Sequence, residues 1–299
     1  MRRLTIIPFL LLFPLGALLA ASPGVAGQAD ALHDRGSFQE AKKLLLDSVA
    51  QAADGKEKAE LYWRAARETL ELGDLAEDAG QPKDAILKLF EEGEGYAVKA
   101  IEADPQNDLA YYWKSSNIGR WGQVKGILNS LFKAGPMKDL LVKVLSLNTQ
   151  RSDAYYVLGQ LYRELPGWPL SFGNVDAAVS LGRKAIDLRM AQFKAGSEKD
   201  LIWNAYSELA KTLYKRNWAP AARAKEQAAK KAKYGDARQG LDEGSLYEAA
   251  VTLPNVSDRE EAKSLAQWVV SELEKIPSGS RTAGQEKDLK KAKDLLKAW

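Results

Sequence analysis

Cysteine is absent from all 299 residues, and histidine occurs once, at His33. Without thiols there is no disulfide, thiolate nucleophile, zinc–cysteine site or iron–sulfur cluster. A serine or cysteine triad would have to use His33, and no Gly-x-Ser-x-Gly elbow accompanies it. Histidine-rich metal sites are excluded too. Net charge is also nearly missing: 43 basic residues against 40 acidic leave +3, too weak a field to draw nucleic acid or an anionic membrane surface. Neither a Walker loop nor a dinucleotide fingerprint occurs. Glu91 and Glu92 are a carboxylate pair, but neighbours on a helix point roughly 100° apart, so they read as a solvated face and not as glycosidase acids. The expectation is a protein with no catalytic residues, no metal and no cofactor.

What is present begins with a basic then apolar N-terminus. Arg2 and Arg3 precede the run Leu4–Ala21, and Ser22–Asp30 is small and polar. This pattern predicts a secretion signal over residues 1–27, cleaved near Gly27 or after Ala21. An uncleaved anchor is the competing reading; Pro8, Pro14 and the small residues Val25, Ala26 and Gly27 favour cleavage. The expected product, residues 28–299, is periplasmic and has no stable membrane anchor.

Helical periodicity dominates everything after residue 28, and no stretch alternates apolar and polar residues as a strand would. The organising stretch contains Tyr155, Leu158, Gly159 and Tyr162, followed by Ala178 and Ala185. Tyr-x2-Leu-Gly-x2-Tyr followed by spaced alanines is the pattern of a tetratricopeptide helix pair, in which small residues let two helices approach. Leu165–Asn174 interrupts it, so that 16 residues separate Tyr162 from Ala178 where the standard repeat has roughly nine. Gly93, Ala97 and Ala100 repeat the small-residue pattern upstream. The predicted fold is all-α, a tetratricopeptide-like right-handed α-solenoid of about four irregular helix pairs over residues 28–299. Ser37 is expected to cap the helix that opens at Phe38. The basic helix after Pro220, with Arg223, Lys225, Lys230, Lys231 and Lys233, is expected to turn its cations to solvent and its alanines inward. The last helix, Glu286–Trp299, reads as a terminal cap on the stack.

Over Leu109–Ile186 the residues are similar to a known family. Tyr112-Trp113, Asn117-x-Gly119-Arg120-Trp121, Lys125-Gly126-Ile127, Val144-Leu145-Ser146-Leu147 and the Tyr155 repeat with its Leu-Pro-Gly-Trp turn resemble the T-component proteins of tripartite ATP-independent periplasmic (TRAP) transporters. The resemblance implies a tetratricopeptide-like fold, docking on the transporter's solute-binding protein, and a cavity for a small, partly apolar organic ligand. The lipid-attachment cysteine common in that family is missing. More distantly, the same segment is similar to the regulators of microtubule dynamics, also helical-repeat proteins, whose biology an exported chain makes irrelevant.

Two candidate sites follow. Trp113, Asn117, Arg120 and Trp121 fall at i, i+4, i+7 and i+8 on one stripe, with Tyr112 beside them. They are either core anchors with their polar groups paired internally, or the walls of a pocket in which Arg120 grips a small carboxylate. Trp168 and Phe172, in the inserted turn, either plug one end of the helix pair or form a lid or docking anchor for a partner. The leading reading is a non-catalytic periplasmic protein that docks on a solute-binding protein or binds a small ligand. The alternative is a cell-envelope scaffold or adaptor holding peptide segments on its concave face. Nucleic acid is not an expected partner, and a homo-oligomer is compatible with either reading.

Overall fold

A computed structural model describes residues 24–126, 131–198 and 201–299. The N-terminal run Arg2–Ala21 lies outside the described residues, as do Ile127 and Asp200. Every regular element among the described residues is helical. The described residues form an all-α stack of successive helices.

Thirteen α-helices are described: α1 (Val25–His33), α2 (Phe38–Ser48), α3 (Gly55–Asp78), α4 (Lys83–Ala103), α5 (Asp108–Lys125), α6 (Ala134–Leu147), α7 (Ser152–Glu164), α8 (Val175–Lys194), α9 (Trp203–Arg216), α10 (Pro220–Tyr234), α11 (Leu241–Ser245), α12 (Asp258–Glu274) and α13 (Ala283–Ala298). From α1 to α9 each helix packs on the next, and short connections make neighbours antiparallel. After α9 this order breaks. Helix α9 pairs with α12, α12 with α13, and α10 lies against the 3-10 turn Tyr247–Ala250. Val25, Ala26 and Gly27, expected at the cleavage segment, form the first turn of α1, and Val25 packs against the cluster of Ala29, Ala41 and Leu45.

Helix α3 is long because both of its ends are specified and most of its circumference is covered. Asp54 caps it, accepting from Glu57 N at 2.8 Å, while Glu57 accepts from Ala53 N at 2.6 Å. Leu61, Ala65, Ala66, Leu70 and Gly73 are buried between α2, α4 and α5. The close approach of α3 to α4 depends on Gly73: a Cβ there would sit 2.5 Å from the Phe90 ring. Ser37 holds the N-cap position of α2 but accepts no capping bond; that helix is held by packing and by Lys42, which donates to Glu92 of α4 at 2.8 Å.

The tetratricopeptide spacing is realised in α7 and α8. Tyr155, Leu158, Ala178, Leu181 and Ala185 are buried together, with the Tyr155 hydroxyl donating to Thr149 O at 3.2 Å. The inserted turn folds back so tightly that a Cβ on Gly173 would lie 1.9 Å from Leu165 O. Asn174 then caps α8, accepting from Asp176 N and Ala177 N at 3.0 Å each. At the far end, Leu289 and Ala292 of α13 are buried against α12, and Trp299 stacks on Tyr214 at 4.4 Å between ring centroids.

Helix α10 reverses its expected orientation. Arg223 and Lys230 are buried, while Ala221, Ala224, Ala228, Ala229 and Ala232 face solvent with Lys225, Lys231 and Lys233. The reason is electrostatic: buried carboxylates on α12 and the Tyr247–Ala250 turn, with a half-buried one on α8, require cations, and methyl groups cannot supply them.

Candidate functional site

The five residues of the α5 stripe divide between two surfaces. Tyr112, Trp113 and Arg120 line a groove of about 560 Å³, whereas Asn117 and Trp121 do not. Asn117 is fully buried and donates to Ala66 O at 3.2 Å and to Trp113 O at 2.9 Å. Its Oδ1 faces Gly93, where a Cβ would come within 2.1 Å. Asn117 therefore pins α5 to α3 and requires glycine on α4. The Trp121 indole donates to Glu91 at 2.9 Å and lies under Lys133, 4.4 Å from its ring centroid. Arg120 is committed within the protein, donating to Asp74 at 2.7 Å and also to Glu77 and Gln123. Those carboxylates outweigh the burial that works against the guanidinium's charge, so it is held as a cation. An arginine so occupied has little capacity left for a ligand carboxylate.

The groove runs across the stack. Its lining comes from α3, α5, α6 and α7, joined by Asn204 of α9 and Lys287 of α13. Tyr112 and Trp113 meet edge to face at 5.2 Å. The Tyr156 hydroxyl accepts from Asn204 at 2.8 Å and from Gln160 at 2.9 Å, so α7 and α9 are tied across the groove. Burial pushes the pKa of both the Tyr112 and Tyr156 phenols well above its ordinary value, which keeps them neutral. Most lining charges are paired: Arg120 as above, Lys133 with Glu94 at 3.4 Å, Glu164 with Arg163 at 2.7 Å and Lys287 with Asp78 at 3.5 Å. Glu71 makes no hydrogen bond or ion pair among the described residues. Its carboxyl is raised from its ordinary range by burial and by the neighbouring Asp74. Asp74 is raised as well, because burial outweighs the attraction of Arg120. Trp113 Nε1 is enclosed with no acceptor among the described residues.

Trp168 and Phe172 have different environments. Phe172 packs on Tyr162 at 5.2 Å under the Lys138 ammonium, whereas Trp168 is 90% exposed and Leu170 77%. Phe132, 70% exposed, lies in the 3-10 turn Leu131–Lys133 just before α6, the helix that carries Lys138.

Sequence reasoning missed the most extensive polar cluster. Arg183, Arg216, Arg223 and Lys230 meet Asp176, Glu248, Asp258 and Glu261 in a balanced, largely buried network joining α8, α9, α10, α12 and the Tyr247–Ala250 turn. Arg216 forks onto Asp258 at 2.8 and 2.9 Å and reaches Glu248 Oε2 at 2.6 Å. Arg183 grips Glu261 at 2.7 and 2.8 Å. Burial alone would raise the Glu248 carboxyl, but Arg216 and Lys230 outweigh it and hold it far below its ordinary range. This network is structural: each charge is used by a neighbour.

Fold and groove define a helical-repeat protein with a concave lining and a charge-locked C-terminal half. The model of the regulator of microtubule dynamics protein 1-3 family matches residues 25–167. Regulator of microtubule dynamics protein 1 from Mus musculus is 25% identical over 154 residues, covering 50% of this chain and 48% of that protein. Its Bos taurus counterpart is 28% identical over 135 residues, 45% of this chain and 40% of that one. Regulator of microtubule dynamics protein 3 from Bos taurus is 26% identical over 208 residues, 64% and 42% respectively. The chain thus spans about half the length of these relatives, or less. The crystal structure of MamA aligns with a TM-score of 0.38 and 16% identity over 81% of this chain and 96% of that one.

These matches overturn the transporter assignment. The residues that suggested a TRAP T-component, Tyr112-Trp113 through the Leu-Pro-Gly-Trp turn, lie largely within the stretch matched by the microtubule-regulator model, so the resemblance described as distant is the supported one. A TRAP solute-binding protein as partner and a periplasmic transporter role fall with it. The physical reason for the error is that helix-nesting residues such as Gly93, Ala97 and Gly159 recur in any tetratricopeptide-like stack and do not distinguish one family from another.

Proposed function

We propose that this chain is a non-catalytic helical-repeat adaptor whose concave groove takes an extended segment of another protein. The observation that carries this reading is the breadth of the lining: α3, α5, α6 and α7 contribute while α4 does not, with aromatic walls at Tyr112, Trp113 and Tyr156 and amides at Gln160 and Asn204. Solenoids bind extended chains along such faces because each layer adds a set of contacts. The prevalence of internal charge pairing in the lining favours binding over catalysis, since a reacting acid or base needs a free partner geometry. The relatives are named for regulating a protein polymer, which favours a protein over a small molecule as the occupant. For the N-terminus our reading remains export, with residues 1–27 removed; the mass of the chain recovered from an expressing cell tests that point separately.

Selection from a phage-displayed peptide library on the purified chain tests the groove. A shared sequence pattern is expected, and Ser116→Trp, which fills the groove from α5, should weaken the recovered peptides at least about tenfold while leaving helix content unchanged. Recovery of no pattern, or equal binding by Ser116→Trp, would remove the proposal.

A further inference from the structure

Four acidic residues of α3 recur every three positions at Glu68, Glu71, Asp74 and Glu77, a spacing that turns by about 60° a step and carries the row from the His33 side of the helix round to the Arg120 side. Three of the four are matched. Glu68 meets His33 at 3.0 Å and Arg67 at 2.8 Å, and Asp74 and Glu77 share Arg120. Glu71 breaks the pairing at the place where the row enters the groove. The charges of His33 and Arg67 favour its ionised form but do not offset burial and the neighbouring Asp74, so this half-buried carboxylate costs the free protein stability, and a cation arriving in the groove would remove that cost.

The groove supplies the rest of a cation site. Tyr112 and Trp113, set edge to face, form a wall of the same groove. Such a wall suits the aliphatic stem of a long basic side chain, whose head group then continues to an acid. The cations already in the lining, Arg120, Lys133 and Lys287, are each paired with an acid other than Glu71. We infer that Glu71 is the subsite that takes the ammonium or guanidinium of a lysine or arginine in the bound segment, an inference that rests on the groove reading above. The partner is therefore a protein segment carrying a basic residue, with neighbours able to lie on tyrosine and tryptophan.

The test uses the peptides recovered by the selection, measured by fluorescence polarisation against the parent chain and Glu71→Gln. Recovered peptides should share a lysine or arginine. Glu71→Gln should weaken them about ten- to a hundredfold, the size expected for a charge-assisted hydrogen bond. Replacing the shared basic residue by norleucine should weaken binding to the parent by a similar factor and make the two proteins bind alike. Peptides with no shared basic residue, or independent losses from the two changes, overturn the subsite and leave the groove reading standing. Recovery of no peptide overturns both. A separate readout needs no ligand: Glu71→Gln should melt no lower than the parent, and a melting point several degrees lower would make Glu71 a structural carboxylate and end the inference.

Discussion

The two halves of this stack are held together by different physics. From α2 to α5 the helices nest through missing side chains: Gly73 against Phe90, Gly93 against Asn117, and Ala97 and Ala100 fully buried. From α8 to α12 they are joined by four cations and four carboxylates, with Arg216 and Glu248 at the centre. Nesting makes the N-terminal contacts depend on volume, whereas the C-terminal contacts depend on charge and on completeness, since each buried ion is tolerated only while its partners remain. The family match over residues 25–167 ends before the charged half begins.

The sharpest way to test this contrast is to remove one member of the network. Arg216→Met leaves Asp258 and Glu248 buried without their principal partner, and should cost about 3–5 kcal/mol in a denaturant titration. A loss below about 1 kcal/mol would mean that the remaining cations close around the gap and that the network is not a single unit.

Acid offers a second, slightly smaller effect with opposite signs at two places. Burial alone would raise Glu208, but Arg163 and Lys291 outweigh it and hold it at about 2, below its ordinary 4.5. A carboxyl depressed in the folded state contributes stability that is present above its unfolded value, so this contribution, on the order of 2–3 kcal/mol, is lost as pH falls from about 4.5 towards 2. Glu71 and Asp74 are raised, so their ionisation costs stability near neutral pH, and that cost disappears as pH falls to the ordinary values of 4.5 and 3.8. Stability measured by denaturant from pH 6 to 3 should therefore fall less steeply in Glu208→Gln. In Glu71→Gln the relief on moderate acidification should be missing. Parallel curves for both variants would refute the assignment.

Volume is the corresponding test on the nested side. Gly93→Ala puts a methyl 2.1 Å from Asn117 Oδ1 and should cost about 1–3 kcal/mol by overpacking. Combining it with Asn117→Ala removes the collision, so the double variant should be more stable than the sum of the single losses predicts. Strict additivity would show that the clash is relieved elsewhere.

These contrasts also explain what could be read from the chain. Nesting is written in residue size, and Tyr155, Leu158 and Gly159 with Ala178 and Ala185 announced the helix pair that α7 and α8 form. Charge pairing is not written locally. Arg223, Gln227 and Lys230 do share one face of α10 by spacing, yet a polar face reads as solvated unless its acids are known, and Glu248, Asp258 and Glu261 lie further along the chain in elements the spacing does not connect to it. The groove was legible in part. Tyr112, Trp113 and Arg120 share α5, and the i, i+4 spacing of Tyr156 and Gln160 was an available signal, but Asn204 and Lys287 reach the lining only through the packing of distant helices. Asn117, at the same helical spacing as its neighbours, turned out to pin α5 to α3, because Gly93 on α4 opens the space that draws its amide inward.

The smallest effect concerns the inserted turn, where one motif holds a residue of each kind. Phe172 packs on Tyr162 and carries Lys138 over its face, so Phe172→Ala removes ring contacts and a cation–π pair and should lower stability by about 1–2 kcal/mol. Trp168 is 90% exposed, and Trp168→Ala should change stability by no more than about 0.5 kcal/mol. The two together divide the alternatives that the sequence left open for this turn: Phe172 has the environment of a plug, and Trp168 has the exposure that contact with another molecule would require. A measurable loss of stability in Trp168→Ala would place its ring in the stack and make the whole turn a plug. An unchanged melting curve, with altered retention of peptides recovered on the groove, would separate the tip from the packing beneath it.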